Sequence, residues 1–183
     1  MIPVRVNGIF LTQSQASGII LKEKEGERTL PIVIGEYEAQ SIALALEDLK
    51  PPRPITHDLT VNILGYLGVS MESVIISELR DNTYYAIIRL QKGLETIEVD
   101  ARPSDAIALA VRLGTDIFVA EAVMDQASYI PEEKEQADKS YIFKSGSDEL
   151  ENLKDQLQKA VDAEEYEKAA ALRDQIKKLE SRS

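Results

Sequence analysis

Apolar positions alternate with polar ones through "VRVNGIFLT", and again through "GIILKEKEGERTLPIVI" on either side of a polar break at "EGE". Period-two alternation bounded by turn residues predicts three strands, with a hairpin between the second and third. The spacing then changes. Ala39, Ile42, Ala43, Leu46 and Leu49 recur at helical intervals and predict a helix over Glu36–Leu49. "KPPRPITHD" follows, and three prolines in four residues forbid a regular helix there. Thr56 is placed as the N-cap of a second helix, Asp58–Leu67, which Gly68 ends.

The same series then recurs. "VSMESVIISEL", "TYYAIIRLQ" and "LETIEVDA" read as three strands joined by turns at "RDN" and "QKG". Ser104 is placed as an N-cap, with Asp105 in the first turn, where the helix dipole favours a carboxylate. This helix runs to about Leu113 and stops at Gly114; a short strand "DIFVA" and a last helix Glu121–Ala127 follow. "YEAQSIALALEDL" and "RPSDAIALAVRLG" share the core IALA, which suggests a duplicated unit of three strands and two helices. Strands joined by short turns pair antiparallel, so the expected class is α+β with a mostly antiparallel sheet, over residues 1–128. Residues 129–147 are polar and rich in Pro, Ser and Gly, and read as a linker. Residues 148–183 carry two apolar stripes, Leu150–Leu153–Leu157–Ala160 and Tyr166–Ala169–Ala170–Arg173–Ile176, and are expected to form a helical hairpin.

Composition narrows the chemistry. The 183 residues include no Cys, which rules out disulfides and thiolate metal sites. "MIPVRVNGIFLT" lacks the basic and apolar regions of a signal peptide, and no stretch reaches the ~20 apolar residues of a membrane helix, so a cytoplasmic location is expected. The net charge is −11, with 18 acidic against 11 basic residues in 1–130 and 14 against 10 in 131–183. Passive nucleic-acid coats bind through basic patches, and no such patch is visible. A nuclease is less affected, since a divalent ion held by carboxylates inverts the local field.

"LPIVIGEYEAQSIALAL", "PPRPITHDL" and "ARPSDAIALAVRLGTDIFVAE" together resemble the bifunctional nuclease domain family, over roughly Met1 to Asp125. The tail "LQKAVDAEEYEKAAALRDQIKKLE" resembles the UVR motif, the helical hairpin of UvrB and UvrC, through Tyr166, Ala169–Ala170 and Arg173–Asp174; Tyr166 stands where Phe is commoner. The first resemblance implies cleavage of both DNA and RNA. The second implies a protein partner taken up through residues 148–183. A two-helix hairpin cannot bury both its apolar stripes alone, so a partner surface or a second copy is expected to cover it. Tyr166 and Arg173 are its candidate anchors, and a homo-oligomer is expected.

Within the domain, His57 is the sole histidine. It reads as a general base or metal ligand beside Asp58, or simply as a first-turn residue tied to the loop. HD-type phosphohydrolases need further histidines, so that class is excluded. Arg102 and Ser104 at a helix start fit a phosphate site, with Arg53 as a further cation from the Pro-rich loop. Their other reading is a capped helix with an internally paired arginine. Glu36 and Glu38 precede the equivalent helix. Glu38, Asp58 and Asp105 are candidate ligands for Mg²⁺ or Mn²⁺, which prefer oxygen donors. No spacing enforces this, and no Asp…Glu-x-Lys pattern occurs in the strands. Two functions therefore stand side by side. One is a metal-dependent nuclease acting through His57, Asp58 and Asp105. The other is a non-catalytic adaptor recruiting a partner through the hairpin.

Overall fold

The computed structural model describes residues 1–12 and 16–131. Its chain runs β1 (Ile2–Leu11), β2 (Ser17–Glu23), β3 (Thr29–Ile34), α1 (Glu36–Leu46), α2 (Thr56–Tyr66), β4 (Ser70–Arg80), β5 (Thr83–Lys92), β6 (Glu95–Ala101), α3 (Pro103–Leu113), β7 (Asp116–Val119) and α4 (Glu121–Ala127). The class is α+β, as expected. The strands form one seven-stranded sheet in the order β3-β2-β1-β7-β4-β5-β6. Each trio is an antiparallel meander with its first strand innermost.

The short β7 joins the trios. It pairs antiparallel with β1 and parallel with β4, the one parallel ladder among the described strands. Ile117 and Val119 are buried in it, beside Val4 and Ile2 on one flank and Val74 and Ile76 on the other. The β4–β5 turn is the two-residue loop Asp81–Asn82 with φ 49 and 60, the positive pair that a twisted hairpin favours.

The two IALA segments belong to helices that pack on one another. Ala39, Ile42 and Ala43 of α1 and Ala106–Ala110 of α3 are buried, and α1 contacts α3. Small alanines let the axes approach closely, and Ile42 and Ile107 are both fully buried in the core. α2 differs. It has no buried residue and rests on α3, leaving Leu59, Ile63 and Tyr66 exposed.

Helix ends depart from expectation in three places. α1 stops at Leu46, because Asp48 turns left-handed at φ 51, and Leu49 is half exposed. α2 starts at Thr56, with Ile55 rather than Thr56 as its N-cap; Asp58 Oδ2 accepts the Ile55 N–H at 3.0 Å. α3 is capped by Arg102, with Pro103 in the first position, so Ser104 sits inside the turn instead of capping it. Tyr129, placed in the linker by composition, exchanges two backbone hydrogen bonds with Thr29. The expected hairpin, with Tyr166 and Arg173, lies outside the described residues.

Candidate functional site

The first turns of α1, α2 and α3 meet at one cleft. Glu38, His57 and Asp105 come from those turns, and Arg102 from the α3 cap. These four, with Tyr37, Gln40, Ser41 and Leu44 of α1 and the start of α2, line a cleft of about 460 Å³. Three helix N-termini aim their partial positive charge at it, which favours carboxylates there and an anion beside them.

A continuous polar chain runs through the cleft wall. Arg102 donates Nε and Nη2 to the two oxygens of Asp105, at 2.6 and 3.0 Å, and Nη1 to Glu38 at 3.0 Å. Asp105 Oδ1 lies 3.3 Å from His57 Nε2, and His57 Nδ1 lies 2.8 Å from Ser41 Oγ. Ser41 Oγ accepts from Arg112 Nη2 at 3.1 Å, and Arg112 Nε donates to Asp58 Oδ1 at 2.7 Å. Positions up to 71 apart in the chain thus share one network.

Charge decides where the protons sit. Burial alone would raise the pKa of Asp105, but Arg102 and His57 outweigh it and hold the carboxyl below its ordinary value. Asp105 is therefore an acceptor only, so His57 Nε2 carries the hydrogen between them. A neutral imidazole has one N–H, which leaves Nδ1 as a lone-pair acceptor. Arg112 has only donors, so Ser41 Oγ accepts from it, and with a neutral imidazole Ser41 sends its own hydrogen to His57 Nδ1. Burial would likewise raise Asp58, yet Arg112 and the Ile55 N–H hold it below the usual carboxylate range. Asp105 and Glu38 hold the Arg102 guanidinium still more firmly protonated.

The structure brings His57, Arg102, Asp105 and Glu38 to the cleft. Asp58 joins the network through Arg112 but lines a neighbouring pocket of about 650 Å³, walled by Leu44, Leu49, Pro51, Pro54 and Val111. Ser104 is only 6% exposed and lies outside the lining of both. Arg53 and Glu36 are exposed and line neither. Ser41 and Arg112 were not singled out from sequence. The available signal was a lone hydroxyl and a lone charge inside otherwise apolar helix runs.

The donors do not gather for a metal ion. Among the described residues no three Asp, Glu or His side chains group closely enough to hold one. Glu38 and Asp105 converge on the Arg102 guanidinium, and Asp58 on that of Arg112. As placed, Glu38, Asp58 and Asp105 do not fit resident Mg²⁺ or Mn²⁺.

Fold and cleft together define an α+β domain whose ionic centre is assembled from the starts of three helices. The chain belongs to the bifunctional nuclease domain family: that family's model matches residues 19–132, and the UvrB/uvrC motif matches 147–182. It is 41% identical over 156 residues to an uncharacterized protein of Mycobacterium tuberculosis, covering 84% of this chain and 92% of that one. It is 32% identical over 105 residues to bifunctional nuclease 1 of Oryza sativa subsp. japonica, covering 55% of this chain and 32% of the rice protein. Bifunctional nuclease 2 of Arabidopsis thaliana is 26% identical over 186 aligned positions, with 91% of this chain and 56% of that protein covered. Among the described residues, no helix is long and apolar enough to cross a membrane.

Proposed function

We propose that this chain hydrolyses phosphodiester bonds in DNA and RNA at the cleft of Arg102, His57 and Asp105. The observation that carries the reading is the convergence of guanidinium, imidazole and carboxylate on three helix N-termini, in a family whose plant members are named bifunctional nucleases. Arg102 is 65% exposed, and its five N–H donors exceed the three engaged by Asp105 and Glu38. The remaining two face a phosphate oxygen and stabilise the charge that grows on it during displacement. Asp105 orients the ring of His57 and balances the imidazolium that forms when His57 takes a proton.

Purified protein is assayed on single-stranded DNA and RNA, with excess chelator and with Mg²⁺ or Mn²⁺, alongside His57→Ala and Arg102→Ala. Cleavage in chelator, lost in both variants, is expected. Strict dependence on a divalent ion would mean that the carboxylates leave their arginines to hold it. Full activity in both variants would remove the catalytic assignment. The second reading, a non-catalytic adaptor, draws on the internal pairing of every charge in the cleft; partner capture without any turnover would establish it.

The tail extends the proposal. Residues 148–183 take up a protein partner, or a second copy, through an antiparallel hairpin with Tyr166 and Arg173 as its anchors; the UvrB/uvrC motif match over residues 147–182 supports this reading. Deleting residues 148–183 is expected to leave melting and cleavage intact and to abolish capture. The two strand trios are taken as copies of one unit, which superposition of α1 on α3 with their flanking strands tests.

A further inference from the structure

His57 Nδ1 is the basic nitrogen of the network, and it does not face open solvent. It faces the hydroxyl of Ser41, at 2.8 Å. Ser41, His57 and Asp105 thus stand in the relation of nucleophile, base and orienting carboxylate, with both links within hydrogen-bond reach at 2.8 and 3.3 Å. The ring nitrogens are exchanged relative to serine hydrolases, where Nε2 faces the serine. The constellation is recognised by roles, and either nitrogen can act as the base.

A positioned serine alone would be ordinary. Here a second feature sets it apart: Arg112 donates Nη2 to the same Oγ at 3.1 Å, from a guanidinium whose side chain is only 10% exposed. Such a donor favours the alkoxide over the alcohol in a low-dielectric place. Ser41 is only 5% exposed, but it is among the residues lining the same cleft as Arg102. A hydroxyl needed only to orient His57 would not require a buried cation aimed at its oxygen.

We infer that Ser41 is the nucleophile of this site and that cleavage passes through a phosphoserine diester. The inference rests on the phosphodiesterase reading above. Ser41 Oγ attacks phosphorus, its proton passes to His57 Nδ1, and the bond from phosphorus to one nucleoside oxygen breaks. The departing oxygen takes the proton from His57. Water then attacks the phosphoserine, giving a proton to His57 and leaving its oxygen on phosphorus. Ser41 departs and recovers its proton from His57. The sum is one diester and one water giving one alcohol and one phosphate monoester. Arg112 and Asp105 are positioning residues in this sequence.

Two displacements at phosphorus restore its configuration, whereas direct attack by water inverts it. The test is hydrolysis by the full chain of an oligonucleotide carrying one phosphorothioate linkage of defined configuration, in heavy-oxygen water. Retention is expected. Ser41→Ala, with its melting checked, is expected to lose at least about a thousand-fold in kcat, as removal of a nucleophile does. A reactive phosphoryl fluoride is expected to label the peptide containing Ser41 in the full chain, but not in His57→Ala. Inversion, or cleavage by Ser41→Ala within a few-fold of the unaltered protein, overturns the inference and leaves the nuclease reading standing. Labelling of Ser41 without nucleic-acid cleavage removes the nuclease reading but keeps the triad. Neither labelling nor cleavage overturns both.

Discussion

Arg112 joins the two halves of the site, and its removal has a cost that the geometry sets. It donates Nε to Asp58 at 2.7 Å, Nη1 to the Ala108 carbonyl at 2.9 Å and Nη2 to Ser41 at 3.1 Å. Its side chain is 10% exposed and that of Asp58 28%. Breaking one partner of a fully buried pair costs about 3–5 kcal/mol, because the other charge is stranded. Asp58 keeps some access to water and its bond from Ile55 N–H, so part of that cost is recovered by solvation. Arg112→Met preserves most of the length and packing while removing every donor. A loss of about 2–3 kcal/mol is expected, with hydrogen bonds to charged groups worth roughly 1.5–3 each when broken. For a domain of this size that is a fall in Tm of about 6–15 °C. Urea denaturation at neutral pH measures it, as a lower midpoint at constant m-value. Asp58→Asn and the double variant complete the cycle, with a coupling energy of about 1–2 kcal/mol expected for groups in direct contact. A coupling below about 0.5 kcal/mol would show that the pair is solvated in solution and does not tie α3 to α2.

Three further outcomes follow from the same structure. Asp58 and Asp105 have folded pKa values below their unfolded ones, so the stability they contribute is present above about pH 4 and is lost as pH falls through the folded values; acid unfolding monitored by circular dichroism should shift to higher pH in Arg112→Met, and an unchanged acid midpoint would contradict this. Ile107 is fully buried in the hydrophobic core, so Ile107→Ala should cost about 2–5 kcal/mol, and a midpoint within 1 kcal/mol of the unaltered protein by the same urea titration would mean the core refills the space. Binding of an oligonucleotide to Ser41→Ala should show a shallow salt dependence, a slope near −0.7 for one phosphate contact on a single strand, because Arg102 is the one exposed arginine lining the cleft; a slope several times steeper would place the binding surface elsewhere.

Periodicity made most of the fold legible. Alternation in "TLPIVI" and "TYYAIIRLQ" and the IALA helices each agree with their tertiary setting, because burial on one face selects the same residues that propensity does. The place of β7 was not legible. Four residues carry no sign of which neighbours they pair with, and this strand lies between β1 and β4 only because both present an unpaired inner edge. The end of α1 was misread for a related reason: Leu49 continues the helical period, but the chain turns left-handed at Asp48 to enter the Pro-rich loop. In the site, His57, Asp105 and Arg102 were legible as polar residues at helix starts. Ser41 and Arg112 were not, since each sits in an apolar run where a hydroxyl or a long stem can pass for packing, and their meaning depends on contacts 16 and 71 positions away.

If a chain of net charge −11 is to cleave a polyanion, as proposed, it needs its cations protected from its own surface. The network does this by pairing. Glu38 and Asp105 hold Arg102 in a fixed plane at the cleft mouth, and Asp58 holds Arg112 behind it. With His57 neutral, three carboxylates and two guanidiniums leave the cluster with one net negative charge, so it exerts little long-range pull on a phosphate. What it offers is short-range: the two unengaged N–H donors of Arg102, three helix N-termini, and a serine wired to a base. Carboxylates that merely neutralised an arginine could stand anywhere around it. Asp105 also orients His57, and Arg112 also grips Ser41, so the pairs that hold α1, α2 and α3 together are the pairs that aim the imidazole at the hydroxyl. Stability and chemistry are therefore coupled here, and a substitution that loosens the helix junction is expected to lower turnover before it unfolds the domain.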